Sequence, residues 1–494
     1  MSKYCPDKNP RNRNQRHIIE RIIIKGNLVL DTPTCFGSGD NDGDTDLEIL
    51  RDSIEDKALL MGSSIAGALR NYLREHQNGY NATDVSILFG GQRSDDDGDQ
   101  SPLIINDAFS SEIIKVELRD GVKINSITRT AEDGAKYDLE FLETGTQFPL
   151  YFELLVDDKQ HDRTQLIQEL AISLQGLETG EIRLGIKKHR GFGRCHVKKW
   201  QVWQFDLHNH EQRIQWLNFP HWEPGFLKNH PTHDNIAKAL GVTFSEQEIE
   251  DKRQHLTITA KFTLATPLLI RSGQASTNIA PDVVHLKSQR NGELKSILSG
   301  TALAGVLRHR GERIVNTIQQ NIERDFEEKE KFTNNFIDAI FGVDVTKDKT
   351  REPKASRLVV DEVEINNTTD LIQNRIAIDR FTGGALHGAL FNEQPIFGNE
   401  KTNLEIKLTL RQPKDAEIGL LLLLLKDLWT GDLPVGGTSS IGRGRLQGRE
   451  ATITHNDKTW KISQPSPTES LVIENSENED LEKFVTALHQ EVTP

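Results

Sequence analysis

The feature that most constrains the fold is an internal repeat, in which five sequence blocks occur twice in the same order. The paired blocks are LVLDTPTCFGSG (28–39) and FTLATPLLIRSG (262–273), MGSSIAGALR (61–70) and SGTALAGVLR (299–308), LFG (88–90) and IFG (340–342), SPLIINDA (101–108) and SRLVVDEV (356–363), and LETGEIRLGIKKHRGFGR (177–194) and LWTGDLPVGGTSSIGRGR (428–445). Ordered self-similarity of this kind indicates a structural unit that has been duplicated in tandem. The sequence therefore predicts two copies of one domain in a single chain.

The repeat divides the chain into two domains and three other segments. The blocks place the first domain at 18–205 and the second at 254–450, with a linker at 206–253. The basic, polar segment 1–17 is predicted to be a disordered tail. The acidic segment 451–494 is predicted to be a solvated tail with a short final helix.

Hydrophobic periodicity predicts an α+β fold for each copy. Leu256, Ile258 and Ala260 alternate with polar residues along one predicted strand, which is typical of a half-buried strand. An amphipathic helix follows in both copies, and a second helix, at about 163–175 and 415–427, precedes a glycine-rich segment. This order of strands and helices is typical of helices packed on one face of an antiparallel sheet.

Charge and composition exclude several classes of protein. Lys and Arg number 60 against 74 Asp and Glu, a net charge of −14, so nucleic acid could be held only at a local basic surface. The 3 cysteines include no C-x-x-C pair, which excludes a cysteine-based zinc ribbon. No apolar run approaches the ~20 residues of a membrane span, and no leader sequence opens the chain. We expect a cytoplasmic protein without membrane association, and no zinc site in the histidine-bearing linker.

Small and hydroxyl residues begin the first helix of each copy, namely Gly62, Ser63 and Ser64 in one and Gly300 and Thr301 in the other. Backbone N–H groups and hydroxyls at a helix start can hold a phosphate, although the same residues also serve as plain N-caps. Arg70 and Arg308 lie at equivalent positions further along these helices. Their positive charge favours the phosphate interpretation.

The glycine-rich segments carry the clearest nucleic-acid signal. Residues 185–199 contain no acid, and their candidate RNA contacts are Lys187, Lys188, His189, Arg190 and Arg194. The corresponding candidates in the second copy are Thr438, Ser439, Ser440 and Arg443. Glycines let backbone amides approach a phosphate, while flanking cations neutralise it. Neither segment has the G-K-[ST] ending of a nucleotide P-loop, which excludes that motif. The alternative to an RNA-binding loop is a structural glycine turn with solvated charges.

Each copy also has an aspartate, Asp46 or Asp282, that ends a polar loop before a short strand. The loop before Asp46 does not fit an EF-hand, because Thr45 and Arg51 stand where the calcium loop needs glycine and glutamate. A solvated turn aspartate is the simplest interpretation of either residue taken alone.

Taken together, the blocks resemble the RAMP superfamily of CRISPR–Cas systems, and in particular the backbone subunits of type III effector complexes. The resemblance covers 18–205 and 254–450. It rests on the T-P-x-x-x-x-S-G strand end, the aspartate before a short strand, the G-S-S-x-x-G-x-L-R helix start, the F-G motif and the final glycine-rich loop. Residues 116–148 and 375–395 look like the family's thumb, a hairpin that enters the guide–target duplex. Two such domains in one chain most resemble the tandem backbone subunit of type III-D complexes.

The resemblance implies two tandem ferredoxin-like, RNA-recognition-like domains with thumb insertions, which bind CRISPR guide RNA within a complex of other Cas proteins. It implies that Asp46 and Asp282 cleave complementary target RNA, with Mg²⁺ held weakly, and that the helix starts and glycine-rich loops contact the guide. A non-catalytic scaffold that spaces guide and target RNA is the alternative. A guide-processing nuclease is disfavoured, because the copies share no histidine as a general acid or base.

Overall fold

The structure, a computed structural model, shows two α+β domains in contact with each other. It describes residues 17–38, 46–80, 87–91, 100–158, 162–244, 250–272, 281–290, 292–321, 323, 325–343, 350–466, 468–475 and 480–493. The predicted basic tail, apart from residue 17, lies outside the described residues, as does most of the polar loop before Asp46.

The first domain runs strand, helix, two strands, helix, strand, with short strands and a hairpin inserted. Its elements are β1 (Ile18–Leu30), β2 (Leu59–Leu60), α1 (Gly62–Asn78), β3 (Leu103–Ile105), β4 (Ala108–Phe109), β5 (Val116–Ile124), β6 (Ala131–Leu142), β7 (Gln147–Asp157), α2 (Arg163–Glu178), β8 (Cys195–Asp206), α3 (His210–Leu217) and α4 (Ile236–Leu240). The sheet order is β3–β7–β1–β8, and every neighbouring pair is antiparallel. Leu69 of α1 and Leu170 of α2 are fully buried against this sheet.

The second domain repeats this plan. Its elements are β9 (His255–Leu264), β10 (Arg271–Ser272), β11 (Val283–His285), β12 (Lys287–Arg290), β13 (Glu293–Leu298), α5 (Gly300–Ile318), α6 (Phe326–Phe341), β14 (Leu358–Val360), β15 (Val363–Ile365), β16 (Thr369–Asp370), β17 (Gln373–Ile378), β18 (Ala385–Gln394), β19 (Ile396–Phe397), β20 (Leu404–Arg411), α7 (Asp415–Trp429), β21 (Leu446–His455), β22 (Lys458–Ser463), β23 (Val472–Asn475) and α8 (Glu482–Val492). The order β14–β20–β9–β21 matches that of the first sheet, and β22 and β23 extend it. The predicted α+β class, with two tandem ferredoxin-like domains, is confirmed.

Residues of the linker cover the second face of the first sheet. Ile22 and Ile24 lie in the main core, whereas Ile23 packs with Phe219 of the linker. Lys25, also on β1, is only 1% exposed and its Nζ donates to the carbonyl of Glu223 at 2.7 Å. Burial lowers the pKa of Lys25. The linker therefore forms part of the first domain's packing.

The C-terminal segment from residue 451 onward, predicted to be a solvated tail, packs on the second domain in its described part. Helix α8 buries Phe484, Leu488 and Val492 in the core that α7 also lines. Strand β22 contributes the buried Trp460 to the same core. Within the described residues, no helix combines the length and apolar character needed to cross a bilayer.

Two inserted hairpins occupy the positions of the predicted thumbs. Strands β5 and β6 form the first thumb, and β17 and β18 form the second. Both present exposed apolar side chains near their tips, with Ile127 89% exposed in the first and Phe381 fully exposed in the second. Two-stranded ribbons are marginally stable alone, and exposed apolar surface of this kind marks a binding region.

Candidate nucleic-acid interface

The two predicted aspartates occupy the same position in their domains, at the base of a thumb. The Oδ2 of Asp46 accepts from the backbone N–H of Asp138 on β6 at 2.8 Å, and Leu47 forms a parallel bridge with Leu139. In the second domain, the Oδ2 of Asp282 accepts from the backbone N–H of Asn392 on β18, also at 2.8 Å. Strand β11, which follows Asp282, pairs in parallel with β18. Each carboxylate is thus fixed, exposed and tied to a thumb strand.

The residues around the two aspartates differ in charge. In the first thumb, Asp138, whose backbone N–H binds Asp46, lies directly opposite Asp120. Lys136 pairs with the Asp138 carboxylate at 3.5 Å. In the second thumb, Asn392 lies opposite Asn374, so that two carboxamides accompany Asp282. The sequence alone does not reveal this difference, because the paired residues are known only once the strand register of each thumb is known.

Either aspartate fits a weakly bound magnesium ion. Within the described part of the chain, no three His, Cys, Asp or Glu side chains are grouped so as to hold a metal ion. Mg²⁺ keeps several waters and needs only one or two carboxylates when phosphates supply further oxygens. An exposed carboxylate with one oxygen held by a backbone N–H supplies one such carboxylate.

The glycine-rich loops are bound to the Thr-Pro motifs in both domains. The hydroxyl of Thr32 accepts from the backbone N–H of Arg194 at 3.0 Å, and that of Thr266 accepts from Arg445 at 2.9 Å. Gly193 and Gly444 have φ angles of 76° and 81°, where a side chain would be strained. The repeated Thr-Pro and glycine motifs therefore form one structural unit in each copy.

The first glycine-rich loop lies at the junction between the domains. Arg190 donates from Nη2 to the carbonyl of Phe341 at 3.2 Å and lies against Ser356. The backbone of Arg190 lies so close to Gly300 that a Cβ atom at Gly300 would overlap the carbonyl oxygen of Arg190. Arg190, predicted to contact RNA, is thus also a domain-junction residue.

A basic cavity of about 640 Å³ opens beside this loop. The basic residues that line it are Lys187, Lys188, His189, Arg190, Arg308 and Lys354. Burial, reinforced by the neighbouring cations, lowers the pKa of His189 to about 3, so that this side chain is neutral at pH 7. Burial and the charge of Arg308 lower the pKa of Arg190 to about 10. This concentration of positive charge is suited to a polyanion.

A second, smaller cavity of about 50 Å³ is lined by residues of both copies that were predicted to contact RNA. Lys187 from the first copy and Thr301 from the second both line it, together with Arg119 of the first thumb. The Nζ of Lys187 lies 4.0 Å from the centre of the Tyr137 ring and donates to the tyrosine hydroxyl at 2.8 Å. The junction thus joins a glycine-rich loop, a helix start and a thumb.

The glycine that begins the first helix and the arginines along both helices bind other parts of their own domains. The N–H of Gly62 donates to the carboxylate of Asp107 at 2.7 Å, while Ser63 and Ser64 are exposed. Arg70 donates to the carbonyl of Gly90 at 3.1 Å, and Arg308 donates to that of Gly342 at 2.8 Å. Arg308 also pairs with Asp338. The helix-start motif and the F-G motif are therefore joined in both copies.

The second glycine-rich loop presents hydroxyl residues and Arg445 to solvent. Ser439 and Ser440 are exposed, and Thr438 accepts from Arg443 at 3.2 Å. Arg443 is only 4% exposed and binds Glu393, which anchors the second thumb. Of the predicted basic contacts, Lys188 and Arg194 are exposed on the first loop.

The fold and these motifs define tandem ferredoxin-like domains with thumb hairpins. The family model of the RAMP superfamily matches residues 27–196 and 261–447, and the chain belongs to this superfamily. Its members are generally CRISPR-associated and bind RNA. No curated protein matches the sequence.

Proposed function

We propose that this chain is a backbone subunit of a type III CRISPR effector complex, of the tandem type III-D kind. It binds guide RNA and cleaves complementary target RNA at two positions, using Asp46 in the first domain and Asp282 in the second. The observation that carries this proposal is the duplicated position of the two carboxylates, each held by a backbone N–H at the base of a thumb.

The chemistry needs little from the protein. RNA contains its own nucleophile: the 2′-oxygen attacks the adjacent phosphorus and the P–O5′ bond breaks, which leaves a 2′,3′-cyclic phosphate and a 5′-hydroxyl. The protein must hold the nucleotide in line and accept the 2′-hydroxyl proton, while the 5′-oxygen takes a proton from water. Orientation supplies much of the acceleration, and a carboxylate that acts as general base contributes roughly 10²–10⁴-fold. Asp46 or Asp282 would hold Mg²⁺, and the ion would neutralise the charge that develops on the phosphate.

The basic cavity at the junction supports guide binding. Its cations come from both copies, including Lys187 and Lys188 of the first loop and Lys354 of the second domain. A chain with a net charge of −14 needs such a concentrated surface to hold RNA. Other Cas proteins would complete the complex, which acts in the cytoplasm in antiviral defence.

Guide binding is tested by replacing Lys187 and Lys188 with alanine. For single-stranded RNA, each phosphate that is no longer neutralised should reduce the slope of log K against log salt by about 0.7. The matched control is Thr438→Ala with Ser439→Ala in the second glycine-rich loop, which removes no charge and should leave the slope unchanged. A slope that the lysine variant does not alter would remove this loop from the guide site.

Cleavage is tested with the assembled complex, end-labelled target RNA and magnesium. Asp46→Asn with Asp282→Asn preserves an acceptor oxygen for each backbone N–H, so the variant should bind target and produce neither cut. Asp234→Asn, at an exposed linker position, is the control. Undiminished cleavage by the double variant would disprove the aspartate assignment. Target binding without cleavage by the wild-type complex would identify a scaffold.

A further inference from the structure

The second sheet ends in an open edge strand, β23. Within the described residues, β23 pairs only with β22, so its other side offers backbone N–H and C=O groups to a further strand. Leu471, just before β23, is 44% exposed, while Val472 and Ile473 within it are 46% and 52% exposed. The strand contains no lysine or proline, the residues that commonly protect such an edge. An apolar edge of this kind favours the addition of a strand.

The helices of the second domain do not reach β23. The register places Ile473 beside Ile462 of β22, on the face of the sheet that carries the core. Ile462 is buried, and Trp460 on the same face lies against Phe484 of α8, with the ring centres 6.0 Å apart. Ile473 lies one strand further out and keeps about half of its surface exposed. A segment that covers this edge must therefore bring apolar side chains as well as backbone hydrogen bonds.

The first domain shows how the same side of its sheet is closed. Trp200 of β8, the last strand of that sheet, exchanges two backbone hydrogen bonds of 2.8 Å with His233 of the linker. Ile236, which follows in α4, is fully buried in the same core as Trp200. An extended segment that pairs through its backbone and adds apolar side chains thus closes this side in the first domain. Among the described residues, no segment does the same for β23.

The surroundings of β23 are acidic. Residues 469–482 include six acids and no lysine or arginine. The acids of this segment that the structure describes are all exposed, namely Glu469, Glu474, Asp480 and Glu482. Only Glu474 has a lysine opposite it on β22, Lys461. This charge disfavours both RNA and a second copy of the same edge, and it favours a strand whose ends carry basic side chains.

We propose that β23 binds an extended segment of another protein, apolar in its centre and basic at its ends, which joins the second sheet as a further strand. Backbone hydrogen bonds hold the segment, and its apolar side chains cover Ile473. Its basic ends lie beside the acids of residues 469–482. This contact goes beyond the RNA chemistry proposed above and does not depend on it.

The test measures fluorescence anisotropy of a labelled peptide, KVTVTVTVK, with the full chain after nuclease treatment. Binding should be saturable and should weaken as salt rises. The same peptide with a methylated backbone keeps its side chains but loses its N–H donors, so it should bind roughly tenfold more weakly or worse. The peptide EVTVTVTVE tests the charge and should also bind more weakly.

A variant of the chain tests the position of the contact. Ile473→Lys removes apolar contact area from an exposed position, so it should lower the peptide affinity roughly tenfold. Leu217→Lys makes the same kind of change at a similarly exposed residue of α3 and is the matched control. It should leave the affinity unchanged. Thermal unfolding curves of both variants check that they are folded.

Four results would overturn the proposal. The first is a wild-type chain that shows no saturable peptide binding, and the second is equal binding of the methylated peptide. The third is a folded Ile473→Lys variant that binds the peptide as tightly as the wild type. The fourth is a different occupant: self-association of the wild type that Ile473→Lys abolishes would identify a second copy, and displacement of the peptide by poly(U) would identify RNA.

Discussion

The two aspartate sites share a backbone geometry and differ in electrostatic surroundings. Asp46 lies near Asp138, which is paired with Asp120, whereas Asp282 lies near Asn392, which is paired with Asn374. On the proposed mechanism, a scissile phosphate would meet two further carboxylates at the first site, one of them paired with Lys136, and two carboxamides at the second. Duplication has kept the position of the carboxylate, while the residues that set its local charge have changed.

The thumbs that carry these sites are also anchored differently. Arg119 of the first thumb binds Glu362 of the other domain, and Glu362 also pairs with Arg290. Arg375 of the second thumb binds Glu393 within its own domain. The first thumb is therefore anchored across the domain junction, whereas the ion pair described for the second thumb lies within its own domain.

The largest expected effect comes from removing these anchors. Glu362→Gln removes one charged partner from Arg119 and Arg290, which keep Glu117 and Glu364. Glu393→Gln removes the carboxylate that Arg375 and Arg443 share. Loss of one partner of a buried ion pair costs about 3–5 kcal/mol, measurable by denaturant unfolding. We expect Glu362→Gln to weaken the first cut and Glu393→Gln the second. Equal loss of both cuts in each variant would show that the thumbs are not independently anchored.

A smaller effect is expected at the thumb tips. Phe381 is fully exposed and can stack on a base, whereas Ile127 at the first tip has no aromatic face. Stacking of a base on an aromatic ring contributes about 1–3 kcal/mol. Phe381→Ala should slow the second cut and spare the first, and Ile127→Ala is the matched control. The stacking role would be excluded if quantification of both products showed no change in their ratio.

The smallest expected effect comes from exchanging charge between the sites. Asp138→Asn should speed the first cut at low magnesium, and Asn392→Asp should slow the second, because each changes one negative charge beside the phosphate. Two unit charges 4 Å apart in water interact by about 1 kcal/mol, which is roughly fivefold in rate. The effect should fade as ionic strength rises. If neither variant changed the ratio of the two cleavage products at any magnesium concentration, the difference in local charge would have no effect on cleavage.

Much of the fold followed from the repeat and from hydrophobic alternation. Ile22, Ile24 and the leucines of α7 identify core faces directly, because burial is periodic in a strand or helix. The placement of Arg190 in the domain junction could not be predicted, because a basic loop has the same composition whether it meets RNA or a carbonyl. The packing of the linker around Lys25 also depends on tertiary contacts that no local pattern reveals.

The central claim, two independent cutting centres, is tested most directly by the two single variants. Asp46→Asn and Asp282→Asn complexes are each mixed with end-labelled target RNA and magnesium, and the products are separated on a denaturing gel. Since the aspartates lie in separate domains with separate thumbs, their effects should be additive. Each variant should lose one product and keep the other, with target binding nearly unchanged. Loss of both products in either single variant, or of neither, would contradict the account.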